Sequence, residues 1–138
     1  MTTDPAALDL DVVHAQLAAS YWAPGVPRDV VERSFAASLA FALQAPDGSL
    51  AGFARVVTDR AVFAHLADVL VLEAHRGRGL GTWLVERVLA HPDLQGLRRI
   101  QLHTADAHAL YARFGFKPPE HPDQYLVLQR DPAELYAR

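Results

Sequence analysis

A chain of 138 residues, 51% of them hydrophobic, can bury ~68% of the surface its unfolded form exposes, and no internal boundary divides it. A net charge of −3 offers no basic field for nucleic acid, and the lack of cysteine excludes disulfides and a thiol nucleophile. No apolar run approaches the ~18 residues of a membrane span and no charged-then-apolar leader opens the sequence, so a single domain over residues 1–138, cytoplasmic and without a membrane partner, is the expectation.

Met1 to Ala7 is small and polar and reads as frayed. Asp9 or Asp11 can cap a short helix whose apolar stripe is Val12, Val13, Leu17 and Ala18. The loop Ser20 to Pro27 then places two aromatics, Tyr21 and Trp22, among small residues and prolines. Pro27 opens a second helix, with Val30, Val31, Ser34 and Phe35 at helical spacing. Leu39, Phe41 and Leu43 share one face of a strand, Pro46-Asp47-Gly48 is a turn by its chemistry, and Leu50 to Thr58 completes a hairpin. A third antiparallel strand, about Ala61 to Leu72, is apolar on both faces, as suits a central strand covered on both sides by helices.

Three glycines at alternate positions follow (Gly77, Gly79 and Gly81), and a helix begins at Leu80 with Leu84, Val85, Val88 and Leu89 on its apolar face. Pro92 stops it, and Asp93 to Gly96 makes a turn. Ile100, Leu102 and Thr104 alternate along another strand. Asp106 can cap a short helix carrying Ala107, Leu110 and Phe114, closed by Gly115. Phe116-Lys117 starts a further strand, interrupted by Pro118-Pro119; Tyr125 to Arg130 reads as the last strand, and Asp131 to Arg138 as a tail. The order of elements gives an α/β layer structure, a mixed sheet with helices on both faces.

The organising segment is strand, glycine turn, helix. Such a turn exposes backbone N–H groups at a helix N-terminus, where the helix dipole favours an anion, and glycines let phosphate oxygens approach without a β-carbon in the way. Arg76 and Arg78 add positive charge. Spacing separates the nucleotide-binding patterns. No lysine precedes Thr82, as a Walker loop requires, and a dinucleotide fingerprint counted from Gly77 and Gly79 finds Thr82 where its third glycine should be. Arg76-Gly77-Arg78-Gly79-Leu80-Gly81 instead resembles the Arg/Gln-x-x-Gly-x-Gly signature of the Gcn5-related N-acetyltransferase (GNAT) family, and Leu110-Tyr111-Ala112-Arg113-Phe114-Gly115-Phe116 resembles the family's Leu-Tyr-x-x-x-Gly-Phe. The joint resemblance covers roughly residues 38 to 130.

The resemblance implies a GNAT-like fold with a mostly antiparallel central sheet. Only about eight residues precede the first helix, so the family's first strand is short or missing. It implies acetyl-CoA as co-substrate, with backbone groups of Val69, Leu70 and Val71 pairing with the pantetheine arm. Arg76, Gly77, Arg78, Gly79, Leu80, Gly81 and Thr82 would hold the pyrophosphate. It implies direct acetyl transfer to a primary amine of a small molecule or peptide, with Tyr111 as general acid. Many relatives carry a glutamate base where this chain has Ala67; Asp68, His65 and His103 remain as candidates, as does a water chain. Tyr21 and Trp22 are expected to wall the acceptor site. The rival reading is an acetyl-CoA-binding module with weak or no turnover. No metal site is expected, because His103 and His108 lack a ligating pattern; assembly as a homodimer is left open.

Overall fold

The structure, a computed structural model, describes residues 1–137. Its sheet has the order β1 (Leu39–Gln44), β2 (Leu50–Thr58), β3 (Phe63–Val71), β4 (Arg99–Leu102). The first three run antiparallel and β4 lies parallel to β3, giving a mixed sheet. Two helices cover one face. α1 (Leu10–Ala18) starts at Asp9, whose carboxylate accepts from the N–H groups of Asp11 and Val12; α2 (Arg28–Ala36) starts after Pro27. Val13, Leu17, Val31 and Phe35 from these helices pack on Ala42, Leu50 and Phe53. α3 (Leu80–Leu89) covers the other face, with Leu84 and Val88 against Leu39, Phe41, Ala54, Val56, Ala64 and Leu66.

Several local expectations need correction. Residues 1–7 are not frayed: Thr2 exchanges two backbone hydrogen bonds with Ala42, at 3.0 and 2.9 Å, and Asp4 caps a turn at Pro5–Ala7. This single bridge is all that stands before β1, so the first strand is indeed vestigial. β3 starts at Phe63 rather than Ala61, because the Asp59 carboxylate gathers the N–H groups of Ala61, Val62 and Phe63 and turns the chain. Asp106 does not cap α4 (His108–Ala112); the Ala107 N–H is taken by Thr104 Oγ1 at 3.0 Å. Neither Phe116-Lys117 nor Tyr125 to Arg130 pairs as a strand among the described residues. Prolines 118, 119 and 122 remove donors from the first of these, while the second stands exposed beside the sheet.

One irregularity in β3 decides which side chains meet. Arg55 lies opposite Asp68, but Val56 lies opposite Leu66, so Ala67 is an extra residue with no partner. Along an unbroken strand Ala64, Leu66 and residue 68 would share a face. The bulge switches the alternation. Ala64, Leu66, Val69 and Val71 pack on the α3 side, while Asp68, Leu70 and Leu72 turn to the α1–α2 side.

Gly52 is the tightest point of this sheet. A β-carbon built there would stand 2.9 Å from the Leu70 carbonyl oxygen, and backbone cannot swing aside as a side chain can. Gly52→Ala is therefore expected to destabilise the protein by about 1–3 kcal/mol, read as a lower midpoint in urea with unchanged slope.

Candidate active site

β4 pairs with β3 only from Phe63 to Leu66. From Ala67 to Val71, β3 keeps β2 on one side and has no strand on the other among the described residues. The Leu72 N–H bonds the Ala51 carbonyl at 2.8 Å. Antiparallel alternation then directs the Leu70 backbone to β2 and the backbone groups of Val69 and Val71 to the open side. Of the three residues expected to offer backbone groups there, Leu70 is thus committed to the sheet. The Val71 carbonyl already accepts from Arg76 Nε at 2.9 Å, which ties the following turn to the strand end.

The turn is built as the sequence suggests. Gly77 and Gly79 have φ of 80° and 73°, a left-handed backbone that favours glycine, and Gly79 is the N-cap of α3 with no side chain on the helix end. The first helical bond runs from the Trp83 N–H to the Gly79 carbonyl, so the amides of Leu80, Gly81 and Thr82 face outward from a helix ten residues long. A β-carbon at Gly77, Gly79 or Gly81 would meet nothing within 4 Å. Open space, free amides and the exposed Arg76 and Arg78 give this end of the helix the room and the positive charge that could hold an anion.

Aromatic residues stand at the other end. Tyr111, on α4, packs half-buried against the α3-side core with its ring 5.8 Å from that of Phe116. No described residue hydrogen-bonds its hydroxyl. Burial, then the neighbouring Tyr21 and Asp106, raise its pKa above the ordinary phenol value of 10.0. Tyr21 is 60% exposed and its hydroxyl oxygen accepts from the Ala105 N–H at 3.1 Å, bridging the α1–α2 loop to the loop after β4. Trp22 meets Tyr21 edge-on at 5.0 Å, and its indole N–H donates to Asp68 Oδ1 at 2.8 Å. The other oxygen of Asp68 accepts from Arg55 Nε at 2.7 Å. Asp68 is buried with both oxygens occupied.

His65 lies on β3, just before the bulge. Gln101 Nε2 is 3.3 Å from its Nδ1, and the His103 ring centre is 5.6 Å from its own. Burial first, then His103 and Arg55, lower the His65 pKa below 6.5, against a smaller opposing pull from Asp68. His103 Nε2 in turn meets the Tyr125 hydroxyl at 2.9 Å. The sequence reading missed Arg55, Gln101 and Tyr125. Arg55 had a signal: a charge inside a strand of buried residues requires a partner. For Gln101 and Tyr125 there was none, since their contacts span 36 and 22 residues.

The chain matches the family model described as the acetyltransferase (GNAT) family over residues 13–116. A protein of Gibberella zeae named "Putative acetyltransferase" is 30% identical over 135 residues, covering 82% of this chain and 75% of its own. A crystal structure from Xanthomonas campestris pv. campestris, described as "a putative acetyltransferase belonging to the gnat family", superposes with a TM-score of 0.92 at 46% identity, over 99% of this chain and 95% of that one. Tetrahymena GCN5 superposes with a TM-score of 0.63 at 15% identity, over 88% and 80% of the two chains, a likeness of fold alone. The glycine turn, the half-paired β3 and Tyr111 all lie within the matched span, and the chain belongs to the acetyltransferase (GNAT) family.

Proposed function

We propose that this protein transfers an acetyl group directly from acetyl-CoA to a primary amine of a small molecule or peptide. The observation that carries the reading is continuity. The unpaired side of β3 leads without interruption into a helix N-terminus that no side chain caps and no β-carbon obstructs. Backbone groups of Val69 and Val71 suit the amides of a pantetheine arm laid down as an added strand, and the α3 amides suit its pyrophosphate. The thioester then falls near the aromatic end of the groove.

There the chain's own groups divide the protons. The amine must be a free base to attack. Addition of its nitrogen to the thioester carbon breaks the C–S bond, the leaving sulfur takes the Tyr111 hydroxyl proton, and the nitrogen gives up one of its own. Tyr111 suits the donor role because its raised pKa keeps it protonated at neutral pH. His65 suits the acceptor role because its lowered pKa keeps it neutral. Flipping the Gln101 amide exchanges its nitrogen for its oxygen against an Nδ1–H of His65 and frees the His65 Nε2 to accept, and the His103 ring, 5.6 Å away, leads on to the exposed Tyr125. Asp68 serves as a positioning residue, because both its oxygens are engaged. Tyr21 forms the acceptor wall, and Trp22 fixes it in place.

Acetyl-CoA should raise the melting temperature of the wild type by ligand linkage. Gly81→Val has room in the free protein, so it should fold normally yet lose that shift; a normal shift would place the cofactor elsewhere.

Tyr111→Phe keeps the ring and should lower kcat by ~10²-fold with acetyl-CoA binding intact. Equal rates with a good acceptor would return Tyr111 to a packing role, and no turnover with any amine would favour the binding-module reading.

The rate should climb with pH as His65 loses its proton, with a midpoint below 6.5, and should fall only above the ordinary phenol range as Tyr111 ionises. His65→Gln should abolish the acid limb of that profile. Its persistence would assign the acceptor role to another group.

A further inference from the structure

Part of the sheet on the α1–α2 side has no helix over it. Val56, Ala64, Leu66, Ile100 and Leu102 pack on the α3 side. Alternation then turns their neighbours Val57, Phe63, His65, Arg99 and Gln101 to the opposite face, and the 3.3 Å approach of Gln101 to His65 agrees. The His103 ring stands by that of His65 and extends the row toward Ala105, where Tyr21 bonds. The cluster buried under α1 and α2 takes Ala42, Leu50 and Phe53 but none of this row, and Val57 is 44% exposed.

Charge on this face is uneven. Arg55 is paired with Asp68, and the Asp106 carboxylate lies near Tyr111 on α4. Arg99 is exposed, and no described residue pairs with its guanidinium. It lies opposite Phe63, which is two residues along β3 from His65, so strand geometry sets the Cα atoms of Arg99 and His65 on the order of 8 Å apart with side chains on one face. An α-amino acid holds its amine and carboxylate much closer than that. An amine and a carboxylate joined by a short aliphatic chain match the spacing, and Phe63 and Val57 offer that chain an apolar floor.

We propose that this sheet face is the bed of the acceptor and that the acceptor is an ω-amino acid, with its amine at His65, its carboxylate on the Arg99 guanidinium and its methylene chain over Phe63 and Val57. The assignment rests on the acetyl-transfer reading and adds the class of substrate to it. Guanidinium and carboxylate meet through paired N–H donors, which fixes the tail and leaves the amine at the reacting end. A diamine of the same length would bring its second ammonium against Arg99 and be rejected by like charge.

The test compares ε-aminocaproate, its primary amide and cadaverine, similar in length but ending in an anion, a neutral group and a cation. Release of free thiol from acetyl-CoA should show kcat/KM about tenfold higher for the acid than for the amide, carried by KM, with cadaverine the poorest. Arg99→Gln should bring the acid down to the level of the amide, and Arg99→Lys should keep part of the preference; the thermal midpoint of each variant is measured in parallel. Binding is read separately by proton NMR. ε-Aminocaproate should shift the ring signals of His65, identified by their loss in His65→Gln, in the wild type but not in Arg99→Gln. Such shifts without turnover of any amine would keep the ligand class and sink acetyl transfer. Equal rates for acid and amide, a preference for cadaverine, no shift in the wild type, or a shift that persists in Arg99→Gln would each overturn the proposal.

Discussion

The buried pair between Arg55 and Asp68 is the interaction on which the site depends. It joins adjacent strands at 2.7 Å, and the second oxygen of Asp68 reaches the loop between α1 and α2 through the Trp22 indole. Arg55 is itself held on every side: Ser38 Oγ stands 3.2 Å from its Nη1, and the Phe35 ring lies beneath the guanidinium at 5.7 Å. Two charges removed from water cost more than their attraction returns unless further hydrogen bonds satisfy them. Here two such bonds come from separate loops, Trp22 to Asp68 and Arg55 to Ser38, and the Phe35 ring adds a cation–π contact. Loss of either partner would leave an uncompensated charge in the core, a change that typically costs ~3–5 kcal/mol. The pair therefore stabilises one arrangement of strand, loop and helix more than it stabilises folding in general.

That arrangement exists because of Ala67. Were Ala67 paired in register rather than bulged out, Asp68 would face α3 and the indole of Trp22 would have no acceptor on the sheet. The same bulge lies where β3 loses its neighbour β4. The unpaired residue turns Asp68 to the α1–α2 layer, and past it β3 has no β4 beside it, so that Val69 and Val71 direct backbone groups to the open side. Bulges are common beside active sites because they redirect a side chain in this manner.

Much of this was legible from local chemistry. The hairpin through Pro46-Asp47-Gly48, the cap at Asp9, the left-handed glycines and the two helix faces all follow from short-range rules, and the structure places each close to where the sequence does. What local rules missed was decided at long range. Asp106 looked like a cap by type, yet the helix starts one residue later, after Ala107, whose own N–H goes to Thr104. Tyr125 to Arg130 has the composition of a strand, but strand formation needs pairing with an edge, and among the described residues it pairs with none. The bulge at Ala67 leaves no compositional trace, because alanine suits either register. Arg55 shows the reverse case: its charge was visible among buried neighbours and its partner was not.

The two tryptophans of this chain stand in contrasting surroundings, one bonded to β3 and one at the start of α3. Trp22 lies in the aromatic wall, bonded to a carboxylate, and Trp83 stands on the first turn of α3, 38% exposed beside the glycine turn. An indole bonded to a buried carboxylate and an indole open to water differ in emission wavelength and in access to a soluble quencher. The molecule thus carries separate optical reporters for the α1–α2 loop and for the glycine turn, and single replacement of either by phenylalanine would isolate the signal of the other without any added label.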